Sequence, residues 1–435
     1  MQYYITTFGC QMNKNDSERI AGLLLSLGWT EADDEMTADL LLANTCSVRQ
    51  MAEDRVVGLI KKWTELKIKN PKIIIAITGC LPGRDHDGKL KKKFPGVDLF
   101  FPIDDLIKLP EWLGQLRSDL FDYLSLEPKY SETHRAFVSI QTGCNNFCAY
   151  CVVPYARGRE RNRPVVDILV EVKKLAKNGC WEITLLGQVV NNYQAPDKEN
   201  FNSQNPFLNK DDFSALLWEL NQVSGIERIH FTAAHPRYFN DYQIEALKLP
   251  KQVNYLHLPV QSGDDEILKK MNRPYVSEDY LKIVEKLKKA KPDMALGTDL
   301  IVGYCGETDE QFKNTIKFYK KADFDISYNA IYSQRSGTLA DKNYADDVSW
   351  ETKKYRWHYL QKVMEEIVLN KNQKYVGQVV SVLVDSCKDG ICSGNSREFK
   401  FTQFLGDESL VGKFVSVKIE IAYEWLLKGK ICDQK

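Results

Sequence analysis

Phe137-Val-Ser-Ile-Gln-Thr-Gly-Cys144-Asn-Asn-Phe-Cys148-Ala-Tyr-Cys151 is the stretch from which the rest of this chain can be read. Its first part, Phe137–Thr142, is an apolar run of strand type, and the loop after it carries three thiols within eight residues. A structural zinc site needs four protein ligands, usually offered as two Cys-x-x-Cys pairs. This loop offers three, spaced by three and then two residues, and no His lies near enough in sequence to complete the set. Three thiolates on a cube of four irons leave one iron without a protein ligand, and that iron is open to chemistry. A loop at the C-terminal end of a barrel strand is also where such folds place their active sites. Cys144, Cys148 and Cys151 therefore point to a reactive cluster.

The chain around this loop has 435 residues, 43% of them hydrophobic, which supports a substantial core divided into about three domains. Lys and Arg number 59, as do Asp and Glu, so whole-molecule attraction to nucleic acid is weak and any RNA contact must come from local patches. Met1–Cys10 has neither a basic n-region nor a long apolar h-region, so no signal peptide is expected. No apolar stretch approaches the roughly 18 residues of a membrane span. Eleven cysteines without a secretion signal imply a reducing, cytoplasmic setting in which thiols are available to metal. Cys180, Cys305 and Cys432 read as small buried hydrophobes.

Toward the N-terminus one pattern repeats. The apolar runs Tyr3–Thr7, Leu40–Asn44 and Ile73–Thr78 are each followed closely by a cysteine: Cys10, Cys46 and Cys80. These are 36 and 34 residues apart, close to one strand–helix unit. Ile20, Leu23, Leu24 and Leu27 form a helical stripe between the first two. If the strands are parallel, their C-terminal ends share one sheet edge and the three cysteines converge there. This predicts a parallel α/β domain over residues 1–115 holding a second metal site.

Pro110–Thr133 reads as a connection. After it, strands at Phe137–Thr142, Ile183–Gly187, Arg228–Thr232, Tyr255–Val260, Gly297–Val302 and Ile326–Tyr332 alternate with amphipathic helices, which predicts a partly closed (β/α)6 barrel over 130–365. Ser277 is expected to cap one helix, and Thr308-x-x-Gln311 reads as a capping box. A long helix near Trp350–Asn370 leads to a third region, 372–435. There Val376–Val384, Phe399–Phe404 and Val415–Ile421 and the hairpin signal Asp389-Gly390 predict a small OB-like β-barrel, a shape often used on nucleic acid. Cys387 and Cys392 flank that turn and are too few for a metal site.

These residues resemble the methylthiotransferases, a branch of the radical S-adenosylmethionine (SAM) enzymes, along essentially the whole chain. Cys10 in Thr-Phe-Gly-Cys-Gln-Met-Asn, Cys46 in Asn44-Thr-Cys-Ser-Val-Arg49 and Cys80 in Thr-Gly-Cys match the ligands of that family's auxiliary 4Fe–4S cluster. Cys144, Cys148 and Cys151 match the radical SAM triad, and the third region is similar to a TRAM domain, which in that family helps hold RNA. Cys151-Val-Val-Pro-Tyr-Ala-Arg-Gly158, Leu185-Leu-Gly-Gln-Val-Val-Asn191 and His257-Leu-Pro-Val-Gln-Ser-Gly263 look closest to the branch acting on tRNA. Leu81-Pro82-Gly83, Ala234 and Tyr304-Cys305 depart from the usual pattern without touching the cysteines.

The resemblance implies two 4Fe–4S clusters, two SAM molecules, and methylthiolation of carbon 2 of N6-isopentenyladenosine in tRNA. That carbon bears an aromatic C–H that no side-chain base can usefully deprotonate, so a cofactor radical is required. It further implies an external low-potential electron donor of flavodoxin or ferredoxin type, a sulfur donor that is not identified, and a monomer. The same chemistry on threonylcarbamoyladenosine or on a ribosomal-protein aspartate stays open, as does a non-catalytic iron–sulfur RNA-binding protein. Three ligands per cluster in place of four weigh against the last. Candidate SAM contacts are Tyr150, Gln188, Gln261 and Glu307. Arg157, Arg159, Arg161 and Arg163 read as phosphate contacts or as a solvated basic turn, and His235 and His257 as structural or functional.

Overall fold

The computed structural model of the protein describes residues 1–47, 50–115, 117, 119 and 121–432. Val48 and Arg49 of the run after Cys46 lie outside the described residues, as do 116, 118 and 120 of the connection and 433–435 of the third region.

Gln2–Thr7 (β1), Thr30–Glu31 (β2), Leu40–Thr45 (β3), Ile74–Gly79 (β4) and Leu99–Phe100 (β5) form one parallel sheet in the order β2-β1-β3-β4-β5. β3 is buried along its whole length. Its side chains alternate between two cores: Leu40 and Leu42 pack with Ile20, Leu24 and Trp29, whereas Leu41 and Ala43 pack with Val56, Ile60 and Trp63. The helices Gln11–Ser26 and Gln50–Lys69 supply those two layers.

In the centre, Arg135–Ser139 (β6) continues into Gln141–Thr142 (β7), which pairs antiparallel with Arg161–Asn162 (β8) and closes the cysteine loop at its base. Glu182–Leu186 (β9), Arg228–Phe231 (β10), Tyr255–His257 (β11), Ala295–Val302 (β12) and Ile326–Ile331 (β13) follow. The parallel sheets β6-β9-β10 and β11-β12-β13 meet at a backbone bridge between Ile229 and Gln252. Among the described residues no ladder joins β6 to β13, so the barrel is open on that side, as expected. Thr308 and Gln311 form the anticipated capping box. Ser277 is instead the first helical residue, and its N–H donates to Asp265 Oδ1 at 2.7 Å.

The helix Trp350–Gln373 leads to Val379–Lys388 (β14), Ile391–Asn395 (β15), Phe401–Leu405 (β16), Phe414–Ala422 (β17) and Leu427–Ile431 (β18), which close into a barrel in the order β14-β15-β16-β18-β17. Asp389 and Gly390 both have positive φ, 52° and 76°, as a type I′ turn requires. That turn sets Cys387 opposite Cys392, and the two are joined as a disulfide, which the reading of every cysteine as a reduced thiol does not anticipate.

The three regions are tied together by buried polar contacts. Arg19 donates to Leu124 O at 2.8 Å and pairs with Glu171, and Arg228 donates to Asn395 O and Ser381 O at 3.0 and 2.6 Å. Cys180 and Cys305 are buried as expected, and Cys432 is half-buried.

Candidate active site

The cysteine loop is shaped by its backbone. Gly143 has φ +72°, and a Cβ there would lie 2.0 Å from Arg159 O, so only glycine fits where the loop closes. Phe147 is left-handed at φ 47°, held by Asn272 Nδ2, which donates to Phe147 O and Asn146 O at 3.0 and 3.2 Å. This folding leaves every sulfur facing a donor. Asn146 N–H donates to Cys144 Sγ at 3.5 Å, Val153 N–H to Cys151 Sγ at 3.4 Å, and the buried Arg273 Nη1 to Cys148 Sγ at 3.5 Å. Burial, with the adjacent Cys148 sulfur, pushes the Cys151 thiol up to about 12, and burial also raises Cys144. Three sulfurs that each receive a hydrogen bond, with Cys144 and Cys148 buried and Cys151 half-buried, suit a bound cationic cluster, because metal and donors together stabilise the thiolates. The donor set fits.

The second cysteine set is gathered by strand register. Thr7 pairs with Asn44 and Thr45 with Gly79, so Cys46 and Cys80 leave adjacent strand ends while Cys10 opens the helix Gln11–Ser26 beside them. A Cβ on Gly9 would come within 2.8 Å of Cys46 Cβ, which shows how closely the Cys10 backbone passes. The Asn13 amide bonds Asn44 Oδ1 at 3.1 Å and fixes this edge. Burial raises the Cys80 thiol, the Arg157 guanidinium opposes that, and the Cys10 sulfur adds to the rise. Arg157 donates through Nη2 to Asp16 Oδ2 at 2.5 Å. A buried guanidinium that also hydrogen-bonds Cys80 is a donor that a sulfur-rich cluster there would use. Among the described residues no three His, Cys, Asp or Glu groups close around a single-ion position.

The two sets are joined directly. The short helix Cys80–Gly83 packs on Val153–Arg157, the helix just after Cys151, and a Cβ on Gly83 would lie 2.0 Å from Ala156 O. A cavity of about 740 Å³ at the open side of the barrel is lined by Tyr150, Cys151, Gln261, Asp299, Tyr332 and Arg335, among others. Arg335 is buried within electrostatic reach of Cys46. One cavity thus touches the Cys151 loop and the neighbourhood of the N-terminal set. Another, of about 470 Å³ and lined by Arg19, Tyr130, Arg163 and Glu171, includes none of the six cysteines.

Tyr150 and Gln261 line the cavity, and Gln261, at φ 75°, bridges β12 through its backbone. Gln188 is half-buried beyond the end of β9, outside that lining. Glu307 is 4% exposed and outside it too: its Oε2 accepts from Gly303 N–H at 2.7 Å and Arg356 Nη1 at 2.9 Å, and burial pushes its carboxyl up to about 7. The four alternating arginines separate. Arg157 and Arg163 are buried against Asp16 and Glu171, Arg161 pairs with Asp104 and Asp122, and only Arg159 is both exposed and without an ion pair among the described residues. They mostly join regions of the fold in place of forming a basic turn. His257 Nε2 lies 3.2 Å from Asp299 Oδ2, and His235 is buried, with its pKa depressed to about 2. Arg273 and Asp16 carry no local sequence signal and emerge only in three dimensions.

Residues 138–319 match the radical SAM superfamily and residues 2–102 match the uncharacterized protein family UPF0004. A Thermoanaerobacter sp. (strain X514) protein named tRNA-2-methylthio-N(6)-dimethylallyladenosine synthase is 39% identical over all of this chain and 93% of its own length. The chain belongs to the radical SAM methylthiotransferase family. A second relative of this methylthiotransferase, under the same name in Caldicellulosiruptor saccharolyticus, is 42% identical over 98% of this chain and 91% of its own. As a radical SAM enzyme, the methylthiotransferase uses SAM and a 4Fe–4S cluster. Its fold is similar to that of the radical S-adenosylmethionine methyltransferase TsrM from Kitasatospora setae, with a TM-score of 0.51 at 12% identity over 90% of this chain and 80% of that one. The cobalamin-dependent S-adenosylmethionine radical enzyme OxsB gives 0.51 at 13% over 84% and 56%. No helix among the described residues is long and apolar enough to cross a membrane.

Proposed function

We propose that this methylthiotransferase adds a methylthio group to carbon 2 of N6-dimethylallyladenosine (N6-isopentenyladenosine) in tRNA, dividing the work among domains at 1–115, 130–365 and 372–435. The names of full-length relatives support the substrate. The observation that carries the chemistry is the single cavity lined both by Cys151 and by Arg335 beside Cys46.

In this reading Cys144, Cys148 and Cys151 hold one 4Fe–4S cluster and Cys10, Cys46 and Cys80 hold a second. The clusters would relay an electron from the external donor to SAM and so supply the radical, and would carry the sulfur, that an unactivated aromatic C–H demands. The chain does the rest. Arg273 and the N–H groups of Asn146 and Val153 hold negative charge on the three loop sulfurs. Tyr150 and Gln261 flank the position that SAM would take, and Arg157 keeps a buried N–H beside Cys80. Partners are tRNA, an external flavodoxin- or ferredoxin-type donor and a sulfur source, with the enzyme acting as a cytoplasmic monomer.

The test is anaerobic reconstitution with iron and sulfide, then SAM, strong reductant and isopentenylated tRNA, with mass analysis of the digested nucleosides. A methylthio adduct on the isopentenylated adenosine is expected. Accumulation of 5′-deoxyadenosine without that adduct would overturn the substrate and direct the same assay to threonylcarbamoylated tRNA or ribosomal protein. Absence of 5′-deoxyadenosine would overturn the radical chemistry as well.

A further inference from the structure

The C-terminal barrel contributes one residue to the cavity that contains Cys151: Trp425. It stands in the tight turn between β17 and β18 and is 48% exposed. The turn is anchored. Asn372, buried at the end of the long helix, donates to Tyr423 O at 2.8 Å and Glu424 O at 3.1 Å, and Tyr423 N–H closes the turn on Leu426 O at 2.9 Å. Trp425 also lines a second cavity, of about 340 Å³, between the two barrels, and Tyr328 is shared by both. Tyr328 is 52% exposed and fixed edge-on to His257, with ring centres 5.6 Å apart. Trp425 has no ring partner among the described residues. A large aromatic face at the mouth of a cavity, half in water on an anchored turn, gains free energy when a planar group stacks on it.

We propose that Trp425, with Tyr328 beside the same joint between cavities, stacks the RNA base that flanks the target adenine. The inference rests on the reading that the substrate is RNA. The target base must reach the Cys151 end of the cavity, and an enzyme that acts on a base atom splays that nucleotide out of its stack. Its neighbour then needs a new stacking partner, and aromatic side chains serve every base because each has a π-face. The neutral chain supports this division: with net charge +0, general phosphate attraction is weak and stacking must carry more of the contact.

The test is a double-mutant cycle between protein and RNA. Dissociation constants are measured by fluorescence anisotropy for the full-length, cluster-loaded enzyme with stem-loops containing N6-dimethylallyladenosine, intact or with an abasic position immediately 5′ or 3′ of it. Loss of one stacked base is expected to weaken binding roughly 5- to 150-fold. Trp425→Ala should cost a similar factor on intact RNA and nothing further on one of the two abasic RNAs. Losses that multiply at both positions would overturn the proposal. If Trp425→Ala fails to fold, Trp425→Phe and Trp425→Leu make the same comparison, with the aromatic variant keeping the coupling and the aliphatic one losing it. Coupled binding without methylthio product would sink the proposed reaction and leave this inference standing. No RNA binding at all would sink both.

Discussion

Arg157→Leu is the most informative single change in this protein. Arg157 and Asp16 form an ion pair 2.5 Å long in which both side chains are only 1% exposed. It is the buried link between the helix Gln11–Ser26 and the segment after Cys151. Removing one partner leaves a carboxylate stripped of water and of its counter-charge, which costs about 3–5 kcal/mol. Replacing both residues with Leu removes the charge and its desolvation together, so the double variant should return to within about 1 kcal/mol of the parent. The assay is hydrogen exchange of the β1 and Gln11–Ser26 amides in iron-free protein, where cluster effects at Cys80 are absent. A loss of 3–5 kcal/mol in local opening free energy corresponds to exchange faster by roughly 10²- to 10³-fold or more. The reasoning is refuted if Arg157→Leu exchanges like the parent, or if Asp16→Leu/Arg157→Leu is as unprotected as the single variant.

Changing Cys10, Cys46 or Cys80 to Ala should remove about half the iron and stop sulfur insertion, while SAM is still cleaved to 5′-deoxyadenosine. Loss of cleavage would mean the two cysteine sets do not act separately. Gly83→Ala drives a Cβ to 2.0 Å from Ala156 O. It should cost about 1–3 kcal/mol of thermal stability and lower iron loading, so a variant with parental melting and iron content would count against the close packing of the two sets. Burial raises Glu182 to about 7, with Arg228 opposing the rise. A carboxyl whose folded pKa lies above its unfolded value contributes stability below about pH 4.5 and loses it as pH rises toward 7. The parent should therefore gain up to about 3 kcal/mol on Glu182→Gln as pH falls across that window, measured by urea unfolding, and a difference constant with pH would refute the raised pKa.

The parts of the site readable from sequence were those made within one short stretch or repeated at a fixed interval. Cys144, Cys148 and Cys151 share a single loop, so their spacing alone shows the missing fourth ligand. Cys10, Cys46 and Cys80 are far apart, yet each follows its own strand, and parallel strands must end at one edge. The capping box at Thr308 and the Asp389-Gly390 turn were equally legible, since both are decided within four residues. Glu307 shows the limit. A glutamate after Gly303-x-x-Gly306 reads as a candidate SAM contact, and its pairing with Arg356, 49 residues onward, comes only from the fold. The short strand β18 was missed because it is five residues long and interrupted by Gly429.

What the sequence determined by itself is therefore the chemistry: which thiols come in threes, which strands run parallel, and that a barrel follows the first set. Only the tertiary structure decided the surroundings of those thiols. It placed Arg273 on Cys148 across 125 residues, Asp16 on Arg157 across 141, and Trp425 from a separate barrel at the mouth of the Cys151 cavity. The physical reason is range. Ligand spacing and strand pattern follow from neighbours along the chain, whereas a buried charge or an exposed ring acquires its role from what packs against it, and no local run of residues encodes that.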